Sequence, residues 1–184
     1  MKILVCISGA SFASLGLDLL RNLSNTNHKI YAIVSQNAKI VLQKEENIKF
    51  DKNEFKNVIF FDDDDLSASV ASGSFGVEKT IIAPCSVNSL AKIANGICDT
   101  LITRAAAVAL KEQRRLILGV REMPFSPISL RQMSELANLG VIIAPPVVAN
   151  YANCKNLGDL KNFIIGKWLD LLDIENEIYK RWKG

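Results

Sequence analysis

The sequence predicts an α/β fold of the doubly wound kind, three layers thick with a mostly parallel central sheet, and three observations carry that prediction. Short apolar runs recur along the chain at Lys2 to Ile7, Ile30 to Val34, Thr80 to Ala83, Leu116 to Val120 and Val141 to Ala144. Continuous apolar runs of this length are what strands buried on both faces look like. Between them lie stretches with apolar residues three and four apart, and strands alternating with such helices make parallel βαβ units. The third observation is that Ser11, Ser35 and Ser86 all fall at strand ends, where the next helix begins.

Lys2 to Ile7 reads as the first core strand, since its apolar run of about seven residues is short for a signal segment and leads into a patterned helix. Ser8 to Ser11 form a tight turn, and Leu15, Leu19, Leu20 and Leu23 make the buried stripe of the first helix. Ile30 to Val34 is the second strand, followed by a helix near Ala38 to Lys44. The segment Ile48 to Asp65 is polar and irregular with one short strand, Val58 to Phe61. The run Asp62 to Asp65 reads as solvated loop, because nothing spaces its carboxylates as metal ligands. Ala71 to Gly76 is small enough in composition either to close over a ligand or merely to connect elements.

Thr80 to Ala83 is the next strand, ended by Pro84, and Ser86 stands where an N-cap belongs, with Leu90, Ile93 and Ala94 at helical spacing behind it. Asp99 or Thr100 caps a helix through Lys111, which puts Arg104 and Lys111 on nearly the same side. Leu116 to Val120 is a strand with Arg121-Glu122 at its carboxyl end. Ser129 and Gln132 have capping-box spacing before Met133 and Leu136, and Gly140 supplies the stop. Val141 to Ala144 is the last strand, broken by Pro145 and Pro146, with Tyr151 beyond it. Asn156 opens an amphipathic helix to about Leu172 that carries Phe163, Ile164 and Trp168 on its apolar side and Lys167 near its end.

A chain of 184 residues with 49% hydrophobic composition buries one substantial core, so a single domain spanning 1–184 is expected. The net charge of +3 is spread along the chain, which argues against a nucleic-acid surface. No apolar run reaches the ~18 residues of a membrane span. The cysteines Cys6, Cys85, Cys98 and Cys154 include no C-x-x-C pair and His28 is the sole histidine, so neither a zinc site nor a disulfide framework is legible. Reduced thiols in a cytoplasm fit best.

Serines and helix N-termini gathered on the carboxyl edge of a parallel sheet point to a phosphorylated ligand. Taken singly, each serine is more often only a helix cap; their shared edge is what shifts the balance to a site. With one histidine, no Ser-His-Asp or Cys-His set assembles. The expectation is that a bound ligand carries the chemistry while the protein orients and neutralises it.

Gly9-Ala10-Ser11, Ser35, Ala83-Pro84-Cys85-Ser86, Asn95-Gly96, Arg104-Ala105-Ala106 with Ala109-Leu110-Lys111-Glu112, Arg121-Glu122 before Pro124, Gly140, and Pro145-Pro146 to Tyr151 together resemble the UbiX-type flavin prenyltransferases over nearly the whole chain. The resemblance implies a flavodoxin-like, Rossmann-like fold and an enzyme that attaches the prenyl group of dimethylallyl monophosphate to N5 and C6 of FMN without a metal. The prenylated FMN then serves a separate UbiD-type decarboxylase. It also implies a homo-oligomer, a dodecamer, with active sites between subunits, and some of Phe60, Phe61, Phe75 and Phe125, in or beside loops, are expected to be buried there.

Carried over residue by residue, Gly9, Ala10, Ser11, Ser35, Ser86, Val87, Asn88, Ser89 and Arg121 match the surroundings of FMN. Tyr151 and Lys167 match the pair that holds the prenyl phosphate, and Trp182 a C-terminal aromatic, so that segment 173–184 is expected to cover the site. Glu45, Glu122, Lys111 and Arg104 match catalytic positions for charge balance or proton movement. Two departures stand out. Phe12 replaces a second glycine of the Gly-Ala-Ser-Gly turn, and Lys167 stands where some members have arginine, which gives up bidentate phosphate geometry. Competing expectations are a phosphopantothenoylcysteine decarboxylase, against which His28 lies away from the ligand edge; a flavin carrier without chemistry; and a decarboxylase acting directly on an aromatic acid, for which no residue set is visible.

Overall fold

The structure is a computed structural model that describes residues 1–182. Twelve strands and α-helices follow one another along these residues: β1 (Lys2–Ile7), α1 (Ser14–Ser24), β2 (Lys29–Val34), α2 (Gln36–Glu46), β3 (Val58–Phe61), β4 (Lys79–Cys85), α3 (Val87–Ala94), α4 (Leu101–Lys111), β5 (Arg115–Val120), α5 (Pro127–Asn138), β6 (Ile142–Ile143) and α6 (Leu157–Leu171). The strands form one six-stranded sheet in the order β3-β2-β1-β4-β5-β6, and every pairing is parallel. Strand order reverses between β1 and β4, which leaves a crevice at their carboxyl ends.

Alternation along β1 builds the three layers. Ile3, Val5 and Ile7 pack against α1, α2 and α6, whereas Leu4 and Cys6 pack against α3, α4 and α5. The N-caps expected at Ser86, Thr100 and Asn156 are present, and Ser35 caps α2. For α5 the cap is Ser126 instead of Ser129: Pro127 fits the first helical position, where no N–H is needed, so the helix starts three residues earlier.

The β4 strand runs on to Cys85 past Pro84. Its register with β5 shifts between Ile82 and Cys85, and a proline is tolerated at such an irregularity because it has no ladder bond to give. The last strand shrinks to Ile142–Ile143 at the sheet edge. Ala71 to Gly76 contains short 3-10 turns and packs at the opposite edge from the serines, where Lys2 Nζ donates to the Phe75 carbonyl at 2.6 Å and Arg114 to the Gly73 carbonyl at 3.0 Å. It is a connection and not a lid over the crevice. Three of the phenylalanines expected between subunits pack on rings of their own chain and stay half-buried, Phe60 on Phe50 and Phe55, Phe61 and Phe75 on Tyr31. Phe125 lies partly buried against the second core layer.

The end of α6 is tied to the amino edge of the sheet. Buried Lys79 donates to the Leu172 carbonyl at 2.5 Å and to Asp173 at 2.6 Å, and Arg115 pairs with Asp173 at 2.7 Å. Hydrogen bonds from Lys79 and Arg115 pull the Asp173 carboxyl down from 3.8 to about 2. A depressed carboxylate stabilises the fold above its unfolded pKa and loses that contribution as pH falls through the folded one. Asp173→Asn is therefore expected to melt at a lower temperature at neutral pH, and the gap to wild type should close as pH drops from 3.8 to about 2. A gap unchanged across that window in a pH series of thermal melts would refute the assignment.

Candidate functional site

The floor of the crevice is built by Ser8, a buried residue just past β1. Its hydroxyl donates to the Pro84 carbonyl at 3.0 Å and accepts the Ser86 amide at 2.8 Å, bridging β1 and β4 beyond the point where their ladder stops. Next to it the Arg121 amide donates to the Cys85 carbonyl at 3.0 Å. Burial pushes the Cys85 thiol up to about 12, so it is a neutral packing group and no nucleophile.

Above this floor lies a cavity of about 430 Å³. Gly9, Ala10 and Ser11 line it from the end of β1, Ser35 from β2, Ser86 to Ser89 from β4 and the start of α3, and Arg121 and Glu122 from the end of β5. Glu45 closes one side and accepts the Ser11 hydroxyl at 2.6 Å. The Ser35 and Ser86 hydroxyls each accept an amide of their own helix at 3.1 Å, and the remaining N–H groups of the first turns of α2 and α3 stay open to a ligand. A Cβ on Gly9 would stand 2.5 Å from the Asn37 Cβ, so only glycine lets the β1 turn meet α2 this closely. Among the described residues the buried Arg121 Nε has no partner.

Sequence reasoning missed Ser8 and Asp63. Asp63 lines the same cavity and leaves the solvated-loop reading true only of its exposed neighbours. Its carboxylate accepts the Ile102 amide at 2.9 Å and its carbonyl the Leu101 amide at 2.7 Å, which holds the start of α4 to the cavity. Burial, opposed by hydrogen bonds from the Ile102 amide and from Thr100, raises its pKa above the ordinary carboxylate value. Ser8 directly follows β1 and Asp63 lies two residues past β3, and a place just beyond a strand end is the one signal by which they could have been found.

Tyr151 and Lys167 lie together elsewhere, in a cavity of about 370 Å³ between the segment after β6 and α6. Tyr151 is held edge-on between Phe163 and Trp182, each 5.8 Å away by ring centroid. Trp182 is thus brought to Tyr151, while positions 183–184 of the expected cover lie outside the described residues. Arg104 and Lys111 line neither cavity. Arg104 Nε donates to the Ala71 carbonyl at 3.1 Å, and Lys111, at the far end of α4, pairs with Glu112.

Phe12 adopts the conformation of the glycine it replaces, with φ at 66°. A left-handed backbone costs a side-chain-bearing residue about 1–2 kcal/mol. Packing of the ring against the first core layer, with Lys161 Nζ 5.1 Å from its centroid, offsets that cost and turns the side chain toward the core.

A serine-rimmed crevice at the switch point of an all-parallel sheet defines a Rossmann-like binder of a phosphorylated cofactor, and the chain matches the Flavoprotein family over residues 1–169. The flavin prenyltransferase UbiX of Campylobacter jejuni is 54% identical over 187 residues, with 100% of each chain covered. The crystal structure of AnUbiX (PadA1) in complex with FMN and dimethylallyl pyrophosphate superposes with a TM-score of 0.95 at 37% identity, covering 100% of this chain and 97% of that one. A dodecameric FMN-dependent UbiX-like decarboxylase from Escherichia coli O157:H7 gives 0.94 at 34%, with 100% of both covered. The chain belongs to the UbiX flavin prenyltransferase family.

Proposed function

We propose that this protein joins the prenyl group of dimethylallyl monophosphate to N5 and C6 of reduced FMN, with no metal taking part. The observation that carries the reading is Arg121, a cation with a buried, unpartnered Nε on the wall of a cavity that also presents hydroxyls and open helix N-termini. That donor set fits FMN. Gly9, Ala10, Ser11, Ser35, Ser86, Val87, Asn88, Ser89 and Arg121 would hold it, the amides of α2 and α3 suiting its phosphate.

The flavin supplies the two positions that accept the prenyl carbons. Tyr151 and Lys167 would bind the donor phosphate, whose negative charge grows as the allylic C–O bond breaks, and Trp182 offers a ring face to the cationic prenyl fragment. Glu45 and Glu122 face the flavin cavity and would move the protons released as the new bonds form.

In one copy the donor cluster and the Arg104–Lys111 pair stand apart from the flavin cavity, so the working site is assembled between copies of the chain. Exposed Met123, Ile128, Leu130 and Val147 supply apolar surface for that contact. The E. coli relative is described as dodecameric, and a mass of twelve subunits in light scattering is the expected result here. Four free cysteines suit a reducing cytoplasm, where the product would pass to a UbiD-type decarboxylase. Among the described residues no helix is long and apolar enough to cross a membrane.

The test is to incubate the protein with reduced FMN and dimethylallyl monophosphate, with and without EDTA, and to weigh the extracted flavin. Gain of one five-carbon unit at the same rate in both is expected. Unmodified flavin would overturn the reading, and activity abolished by EDTA and restored by magnesium would overturn its metal-free part.

A further inference from the structure

We propose that Asp170 is a positioning residue for the prenyl-donor site, its carboxylate holding the segment 173–182 as a strap along α6 so that Trp182 stays against Tyr151. The inference rests on the reading of Tyr151 and Lys167 as donor ligands. After α6 the chain turns at Asp173, with φ at 56°, and doubles back along the helix. Asp170 Oδ1 accepts Asn176 at 2.9 Å and Arg181 at 2.7 Å, while Oδ2 accepts the Tyr179 hydroxyl at 2.6 Å and Arg181 at 3.0 Å. One carboxylate thus gathers three strap residues, and the arginine binds it through both oxygens, the geometry with the most directional strength.

The helix is shaped to receive the strap. Gly166 leaves bare backbone on which the Tyr179 ring lies, where a Cβ would collide with it, and its carbonyl accepts Asn176 at 3.3 Å. Rings then follow in file toward the donor site: Tyr179 to Phe163 at 5.3 Å, Phe163 to Tyr151 at 5.8 Å, Tyr151 to Trp182 at 5.8 Å. Phe163 is fixed by the core, but Trp182, directly after Arg181, depends on the strap for its place. Burial raises the Asp170 carboxyl, yet the bonds from Arg181, Tyr179 and Asn176 hold it below its ordinary value, and the Tyr179 hydroxyl is pushed up to about 12 by burial and by Asp170. At neutral pH Asp170 and Arg181 are therefore ionised, and Tyr179 keeps the proton it donates. Asp170 lies three residues after Lys167, so the latch and the phosphate ligand share one helix and nearly one side of it.

Asp170→Asn and Arg181→Ala are to be assayed with dimethylallyl monophosphate at saturating reduced FMN. The Arg181 side chain is 45% exposed, so the loss is that of one charge-assisted bond discounted for solvent. Roughly a tenfold rise in donor KM is expected, with a fall in kcat as Trp182 leaves the cationic fragment and with FMN affinity within about twofold of wild type. Trypsin should cut after Lys180 faster in both variants, and Arg181→Lys should recover part of the KM shift, which a packing defect would not. If Asp170→Asn fails to fold, Arg181→Ala carries the same expectation alone. Unchanged donor KM in the strap variants overturns the proposal. Lys167→Ala run in parallel separates the two levels: a raised donor KM there with normal strap variants sinks the latch alone, and no effect in any of them sinks the donor site with it.

Discussion

Arg121→Ala is expected to purify folded and without flavin. The contact that holds this position in the fold is the main-chain bond from the Arg121 amide to the Cys85 carbonyl, which alanine retains, while the Nε has no partner among the described residues and is the group proposed to meet the flavin. A hydrogen bond to a charged group contributes about 1.5–3 kcal/mol, or roughly 10- to 150-fold in affinity. Flavin absorbance per protein chain, followed by fluorescence titration, measures it. Arg121→Lys, which keeps the charge but not the planar fork, should fall between wild type and alanine. Full flavin occupancy in the alanine variant would place the cofactor elsewhere.

The second large effect is on the rate. Lys167→Ala and Tyr151→Phe should retain FMN and slow prenylated-flavin formation by roughly 30- to 1,000-fold, the range for losing one contact worth about 2–4 kcal/mol to a departing anion. Because the two cavities are separate in one copy, mixed oligomers offer a sharper check. Subunits carrying Arg121→Ala, reassembled with subunits carrying Lys167→Ala, should regain activity that neither has alone. Recovery absent from verified mixed oligomers would argue that each copy works by itself.

Most of the fold was legible because the buried strands and the capped helices announce themselves locally. Ser35, Ser86 and Thr100 cap where their side chains and positions say they should, and β1, β3 and the stripe of α1 stand at the expected residues. What was misread depends on partners distant in sequence. The β4 strand passes Pro84 because its neighbour tolerates a register shift there, and Asp63 leaves solvent because the start of α4, some 39 residues on, needs an acceptor. The flavin cavity was legible as a layer of strand ends, and the named serines and Arg121 do line it. Separation of the donor cluster and of Arg104 and Lys111 from that cavity was not, because helical spacing says which side a residue takes and not which cavity that side reaches.

The Ser8 bridge has a consequence for the tempo of the reaction. A crevice whose floor is already hydrogen-bonded asks little rearrangement of an incoming ligand, so under the proposed function its grip on the flavin phosphate would be complete from first contact. Prenylation alters the ring system and leaves that phosphate end untouched. The finished product is therefore gripped there as firmly as the starting flavin, and on the proposed chemistry its escape, more than the making of the new bonds, sets how often each site can turn over.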